Sequence, residues 1–288
     1  MLNKFESYLY TNLNNLKNNG CVDENPRGRY KSDNTPSHSI SINGAIFESF
    51  NLHNKEFPIT ETRPISIKSA INEILVIYQD QSNKIEDFEK RGCGWWSDWA
   101  VGDGKDIGCR YGYTVKKYDL MNKLLKDLEN NPYGKRHIMD LYQYADLNES
   151  FGLHPCAFLT MWSVVNIKGE KYLNLTLVQR SSDALVAGTG INQMQYVALQ
   201  MMVAKHLGIK VGMFEHLRNN YHIYDRHQEQ LEITLNRLAE LSNRGYTSKP
   251  ELILNVSDGT NFYDIKSSDF ELINYNPIKP QLKFDLAI

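Results

Sequence analysis

Cys156 stands in Leu153-His-Pro-Cys-Ala-Phe-Leu-Thr-Met-Trp162, a lone thiol between a proline and an almost wholly apolar run. A free cysteine so placed is either a small buried hydrophobe or a nucleophile held at the mouth of a strand. Glu73 poses a similar choice. It lies three residues after Ala70 and four before Ile77, on the apolar side of a helical stripe, where an ionised carboxylate needs a partner or must reach outward to water. Gln179-Arg180-Ser181-Ser182-Asp183, followed by Ala187-Gly-Thr-Gly-Ile-Asn192, sets a guanidinium fork and a hydroxyl at a strand end. That pairing suits a phosphate, and equally an Arg–Asp surface pair. Lys135-Arg136 follows the turn Pro132-Tyr-Gly134 as a second basic pair, in a stretch that otherwise reads as a solvated loop. His222 and Tyr224, two apart, share one side of extended backbone. They can donate to a sugar hydroxyl or pack together in a core.

The elements that must position these residues follow from hydrophobic period. Ile67, Ala70, Ile71, Ile74, Ile77 and Tyr78 predict a packed helix over 66–79, opened by Ser66 after Pro64. Val115, Tyr118, Met121, Leu124, Leu125 and Leu128 predict another over 115–128, stopped by Asn-Asn-Pro. The period then changes: Phe158–Ile167 reads as a strand, Lys168-Gly169-Glu170 as a tight turn and Tyr172–Val178 as a second strand. Cys156 therefore opens a hairpin. Residues 194–207 are apolar nearly all round, which predicts a central buried helix closed by Gly208. A charged helix near 226–242 and strands Leu252–Val256 and Phe270–Tyr275 complete a mixed α+β order.

With 288 residues and 41% hydrophobic content, and without a linker of shifted composition, the chain reads as one domain spanning 1–288. A net charge of −2 gives no basic field for general nucleic-acid binding. Cys21, Cys93, Cys109 and Cys156 lie far apart, with no Cys/His spacing of a metal site, so no metal is expected. The N-terminal stretch is interrupted by Asn, Lys and Glu, unlike a signal peptide or membrane span. A cytoplasmic protein needing neither membrane nor nucleic acid is the expectation.

Taken together, the chain from roughly residue 40 to Ile288 resembles the folate-dependent thymidylate synthases and their relatives, the pyrimidine nucleotide hydroxymethylases. Pro155-Cys156 and the strand after it resemble the nucleophile motif, Gln179–Asp183 the phosphate and folate motif, and Asn192, four before Tyr196, the pyrimidine-reading asparagine. His222-Ile-Tyr224 resembles the sugar-binding pair, the helix around Glu73 the one bearing the catalytic carboxylate, and the terminal Leu-Ala-Ile288 the closing tail. Trp95-Trp96-Ser-Asp-Trp99 with Arg110-Tyr111-Gly112 resembles the wall of the site.

The resemblance implies an α+β fold with a mixed sheet, a long central buried helix, flanking helices, and an obligate homodimer formed through the sheet with shared active sites. It implies transfer of a one-carbon unit from the co-substrate 5,10-methylenetetrahydrofolate to C5 of dUMP, giving dTMP and dihydrofolate. Cys156 would attack C6, its thiolate favoured by Arg180; Glu73 would relay protons, Tyr111 would assist loss of the C5 proton, and Asn192 would read the base. Gln179, Arg180, Ser181, His222 and Tyr224 would hold the nucleotide, joined by Arg136 and Lys135 of the other subunit. Arg29 would supply the N-terminal phosphate-loop arginine, with Arg27 and Lys31 as alternatives. Trp96, Trp99, Asp183, Gly188 and Ile288 would bind the folate. Ala157, Thr160, Tyr142-Gln143 and Asp225-Arg226-His227 depart from the usual synthase residues. Arg226 is hydroxymethylase-like, so dUMP or dCMP 5-hydroxymethylation, with water in place of hydride, is the alternative. A nucleotide-binding regulator without turnover is a further one. Asn192 favours dUMP because an amide can meet both N3–H and O4.

Overall fold

In the computed structural model, which describes residues 1–244 and 249–288, the hairpin around Lys168-Gly169 forms the middle of the main sheet. Strands β5 (Ala157–Ile167) and β6 (Glu170–Gln179) are joined by these two residues, both at positive φ, 53° and 90°, the conformation that matches a right-twisted hairpin. β6 pairs in parallel with β8 (Lys210–Arg218), β8 with β3 (Ile46–Asn51), and β5 with β4 (Ile138–Asp140), giving the order β3-β8-β6-β5-β4. A smaller sheet orders β1 (Cys21–Val22), β2 (Ser39–Ser41), β9 (Tyr221–Tyr224) and β7 (Ser182–Asp183). β10 (Glu251–Leu254) and β11 (Phe270–Ile273) form a separate antiparallel pair.

The helix α7 (Ile191–Leu207) lies on the main sheet and ends at Gly208, φ 63°. Every residue from Gln193 to Ala204 is buried. That includes Gln193, Gln195 and Gln200, and the last donates to the carbonyls of Leu173 and Met213 at 2.7 and 3.0 Å, stapling helix to sheet. α2 (Ile67–Leu75) packs on α7 and widens into a π-type turn over Val76–Asp80, a local expansion that recurs at functional sites.

The helix expected over 115–128 is two: α4 (Gly112–Lys117) and α5 (Leu120–Asn130), separated by Asp119 in the left-handed region at φ 53°. α3 (Ile85–Lys90) and α6 (Tyr144–Glu149) are short, and α8 (Gln228–Asn243) follows a 3-10 turn at Asp225–His227. α1 (Lys4–Asn19), unread in the sequence, is opened by a reciprocal capping box between Asn3 and Glu6. Its Leu9, Leu13 and Leu16 join Leu231, Leu235 and Leu238 of α8 in a second apolar cluster beneath the smaller sheet. No helix among the described residues is long and apolar enough to cross a membrane.

Candidate active site

The register of the β5–β6 hairpin slips by one between Ala157 and Leu159: Leu159 pairs with Val178, yet Ala157 pairs with Gln179. This bulge sets Cys156 opposite Arg180, whose backbone N–H donates to the Cys156 carbonyl at 2.9 Å. The Arg180 guanidinium turns back on the segment that leads into β5. It donates to the carbonyls of Pro155 at 2.9 Å and His154 at 2.8 Å, and lies 3.7 Å from Cys156 Sγ. Burial pushes the thiol above its ordinary value and Arg180 pulls it down. Burial wins, so Cys156 rests as a thiol, and the expected thiolate is favoured in direction only, because desolvation outweighs one neighbouring charge.

The Cys156 backbone N–H donates to the Tyr111 hydroxyl at 3.3 Å. Tyr111 opens α4 at φ 54°, a conformation costly for an aromatic residue. Its buried hydroxyl is pushed well up, chiefly by burial. Tyr111 thus touches both the Cys156 backbone and the Trp96 ring beside Glu73. Glu73, on the apolar side of α2, faces the Gln195 amide and the indoles of Trp96 and Trp95. Burial raises it to about 7. Trp96 stacks on Phe88 at 4.9 Å and meets Tyr111 edge-on at 5.3 Å, while Trp99 packs half-buried against the core.

Gln195, overlooked in the sequence, accepts from Asn192 Nδ2 at 3.0 Å. Asn192 Oδ1 accepts from Gln179 Nε2 at 3.1 Å, and Gln179 Oε1 lies 3.0 Å from His216 Nε2. His222 and Tyr224 do share one side, ring centres 5.2 Å apart, with His222 Nδ1 2.8 Å from the Asn220 carbonyl. Tyr224 feels the charges of both Asp183 and Cys156. Ser181 follows Arg180 at the end of β6 and is half-buried.

The remaining expected residues are less uniformly gathered. Asp183 Oδ1 caps the turn after β7, accepting from Leu185 and Val186 N–H at 2.9 Å each. Gly188 is buried, and a Cβ there would sit 2.6 Å from the Asp183 carbonyl, so its smallness is required by packing. Lys135 and Arg136 stand exposed in the loop between α5 and β4. Arg29 donates its guanidinium to the Asn34 carbonyl at 3.0 Å, whereas it is Arg27 whose charge reaches His154 and Tyr224. Ile288 pairs with Arg29 through reciprocal backbone bonds of 2.8 and 2.9 Å, docking the tail on the segment before β2. Arg226 fastens this arrangement. It bridges Asp285 of the tail and Asp33, each at 2.6 Å, and lies 3.9 Å over the Tyr30 ring. Among the described residues no three His, Cys, Asp or Glu side chains gather as a metal site.

A family model described as thymidylate synthase matches residues 18–288. The chain is 52% identical over 288 residues to a Streptococcus pneumoniae (strain 70585) protein named thymidylate synthase, covering all of both, and 53% identical over 278 residues to one from Streptococcus sanguinis (strain SK36), covering 96% of each. Its fold matches thermostable thymidylate synthase A from Bacillus subtilis at a TM-score of 0.85 and 32% identity, over 99% of each chain. With a thiol, a buried carboxylate and a strained tyrosine converging at one end of this sheet, the chain belongs to the thymidylate synthase family.

Proposed function

We propose that this chain performs the reaction for which its relatives are named: one-carbon transfer from 5,10-methylenetetrahydrofolate to C5 of dUMP, giving dTMP and dihydrofolate. The observation that carries the reading is the convergence on Cys156 of the Tyr111 hydroxyl, 3.3 Å from its N–H, and the Arg180 guanidinium, 3.7 Å from its sulfur. Uracil C5 is a poor nucleophile until sulfur adds at C6. Cys156 makes that bond, and the Arg180 charge favours departure of the thiol proton as the site fills. Glu73, poised at about 7, takes and returns protons near neutral pH. Tyr111 assists removal of the C5 proton, and Asn192 reads N3–H and O4.

The residues present fit a folate. Trp96 and Trp99 give an aromatic wall, Asp183 an acceptor, and the docked Ile288 tail a cover. The folate supplies the one-carbon unit and the hydride; the protein keeps water out. Arg226, the hydroxymethylase-like feature, fastens the tail rather than admitting water, which favours dTMP.

The nucleotide phosphate is held by Arg180, Ser181 and Arg27, and by Arg136 and Lys135 of the partner. A homodimer through the sheet is supported by its outer face, where Phe47, Ile138, Met161, Val165 and Ile167 are exposed large apolar side chains. Residues 1–288 act as one domain in the cytoplasm, in keeping with four cysteines that form no disulfide. The test is the absorbance rise from dihydrofolate on mixing dUMP, methylenetetrahydrofolate and enzyme, coupled to product mass. A product of 5-hydroxymethyl-dUMP without dihydrofolate would overturn the methyl reading.

A further inference from the structure

We propose that His216 is a specificity-determining positioning residue, which acts through Gln179 to hold the Asn192 amide in the one orientation that suits uracil. The inference rests on the reading of Asn192 as the group that meets the pyrimidine edge.

Gln179 Nε2 donates to the Ser181 carbonyl at 2.8 Å and to Asn192 Oδ1 at 3.1 Å. A carbonyl can only accept, so the nitrogen end of this amide is settled and its oxygen must face His216. An amide oxygen also only accepts. His216 therefore carries a proton on Nε2 and donates it across 3.0 Å. Burial, aided by the Arg218 charge, holds the ring neutral, and its Nδ1 is buried without a partner, as a bare lone pair would be. In the other direction, Asn192 Nδ2 donates to Gln195 Oε1 at 3.0 Å, and the Gln195 amide supports the Glu73 carboxylate.

The result is a one-way chain, from His216 through Gln179 and Asn192 to Gln195, in which each group accepts from the one before. Turning Asn192 over would set its oxygen against that of Gln195 and its NH2 against that of Gln179. His216, Gln179 and Gln195 are buried, and Asn192 alone of the three amides is half-exposed. After its two internal bonds Asn192 keeps one N–H and one oxygen lone pair. Uracil offers a donor at N3 and an acceptor at C4, and cytosine offers the reverse. A free amide would meet either by rotating, but a locked one meets only one.

His216 closes the chain from β8, the strand beside β6, on the face that also carries Phe214 and Arg218. Ala157, next to the nucleophile, has only a methyl group and cannot do so. Without His216 the buried Gln179 oxygen lacks a donor, the amide loses its seat, and the Asn192 oxygen loses its partner.

The experiment compares His216→Phe and His216→Gln with the wild type, reading the dCMP-to-dUMP ratio of Kd by calorimetry on folate-free enzyme and the dUMP-to-dCMP ratio of kcat/KM. The phenylalanine variant is expected to lose roughly tenfold in both ratios, with the KM for methylenetetrahydrofolate little changed. Glutamine, whose Nε2 reaches about as far as that of imidazole, is expected to restore most of the loss. An unchanged ratio in the phenylalanine variant overturns the proposal, as does an equal fall in both variants. If His216→Phe does not fold, Gln179→Met must lower the ratio, and an unchanged ratio there overturns it too. A wild type that turns over neither nucleotide would defeat the reading of function, yet the binding ratios would still decide the part played by His216.

Discussion

Arg180 and Cys156 face each other across the open end of a bulged hairpin, with the guanidinium 3.7 Å from a sulfur that burial holds protonated. The arginine therefore offsets part of a desolvation cost rather than producing a resting thiolate. Removing it leaves burial unopposed. Arg180→Gln is expected to move the alkylation midpoint of Cys156 to higher pH and slow its labelling roughly tenfold at neutral pH, the effect of about one pKa unit. Peptide-resolved mass spectrometry after iodoacetamide treatment separates Cys156 from the exposed Cys21. In parallel, Cys156→Ser should lower turnover about a thousandfold or more while calorimetry still detects dUMP. Near wild-type turnover there would remove the covalent mechanism.

Glu73 is raised from 4.5 to about 7, so the folded protein holds this proton more tightly than the unfolded chain. Its contribution to stability is complete below pH 4.5 and is lost as pH rises through 7. Glu73→Gln abolishes that loss. Between pH 5 and 8 the variant should gain on the order of 2–3 kcal/mol over wild type in denaturant titrations, while its turnover falls roughly a hundredfold or more. Parallel stability profiles for the two proteins would mean that the carboxylate is not desolvated.

The exposed Lys135-Arg136 pair makes no side-chain hydrogen bond or ion pair among the described residues, and the apolar outer sheet face needs a cover. Mixing inactive Arg136→Ala and Cys156→Ser chains should return about a quarter of wild-type turnover, since half the dimers then carry one complete site. Subunit exchange, followed by native mass spectrometry, must accompany the assay. Full exchange with no recovered activity would exclude a shared phosphate site.

Arg226 ties Asp285 of the tail to Asp33, and holds Asp33 down to about 2. Arg226→Ala should loosen the last residues and raise the KM for methylenetetrahydrofolate several-fold, with little change in dUMP affinity. A looser cover admits water, so product mass should reveal some 5-hydroxymethyl-dUMP beside dTMP. Unchanged KM and a clean dTMP product would show that the tail seats itself without this arginine.

The hairpin-opening Cys156, the buried Glu73 and the central helix were readable because each breaks or obeys a local period: Glu73 sits where an apolar residue should, and α7 is apolar nearly all round between its polar ends but for its glutamines. What escaped was set by distant partners. Arg27 and Arg29 are two apart, and nothing local to them announces that Ile288, from the far end of the chain, pairs with Arg29. β8 went unread because its inward face carries His216 and Arg218, polar residues buried by an amide of β6 and by Glu48 of β3. The break between α4 and α5 falls at Asp119, with neither glycine nor proline to announce it; a short polar side chain tolerates the left-handed turn.

The one-residue slip between Ala157 and Leu159 also determines which changes in chain length the enzyme can survive. From the Lys168-Gly169 turn to Leu159 each pair of positions sums to 337; from Ala157 onward the sum is 336. Without the slip Cys156 would stand opposite Ser181, and its side chain would emerge from the opposite face of the sheet. Indexing of sulfur against guanidinium thus resides in a single irregular peptide, some ten residues from the turn. Deleting Phe158 should remove the slip yet leave Cys156 opposite Arg180; adding an alanine between Cys156 and Ala157 of that variant should set the thiol opposite Ser181 and give a dead enzyme, and an added residue between Gln179 and Arg180 should return Arg180 to the thiol. Loss and recovery of that kind would mark the hairpin as a counting device, in which chemistry depends on parity as much as on residue type.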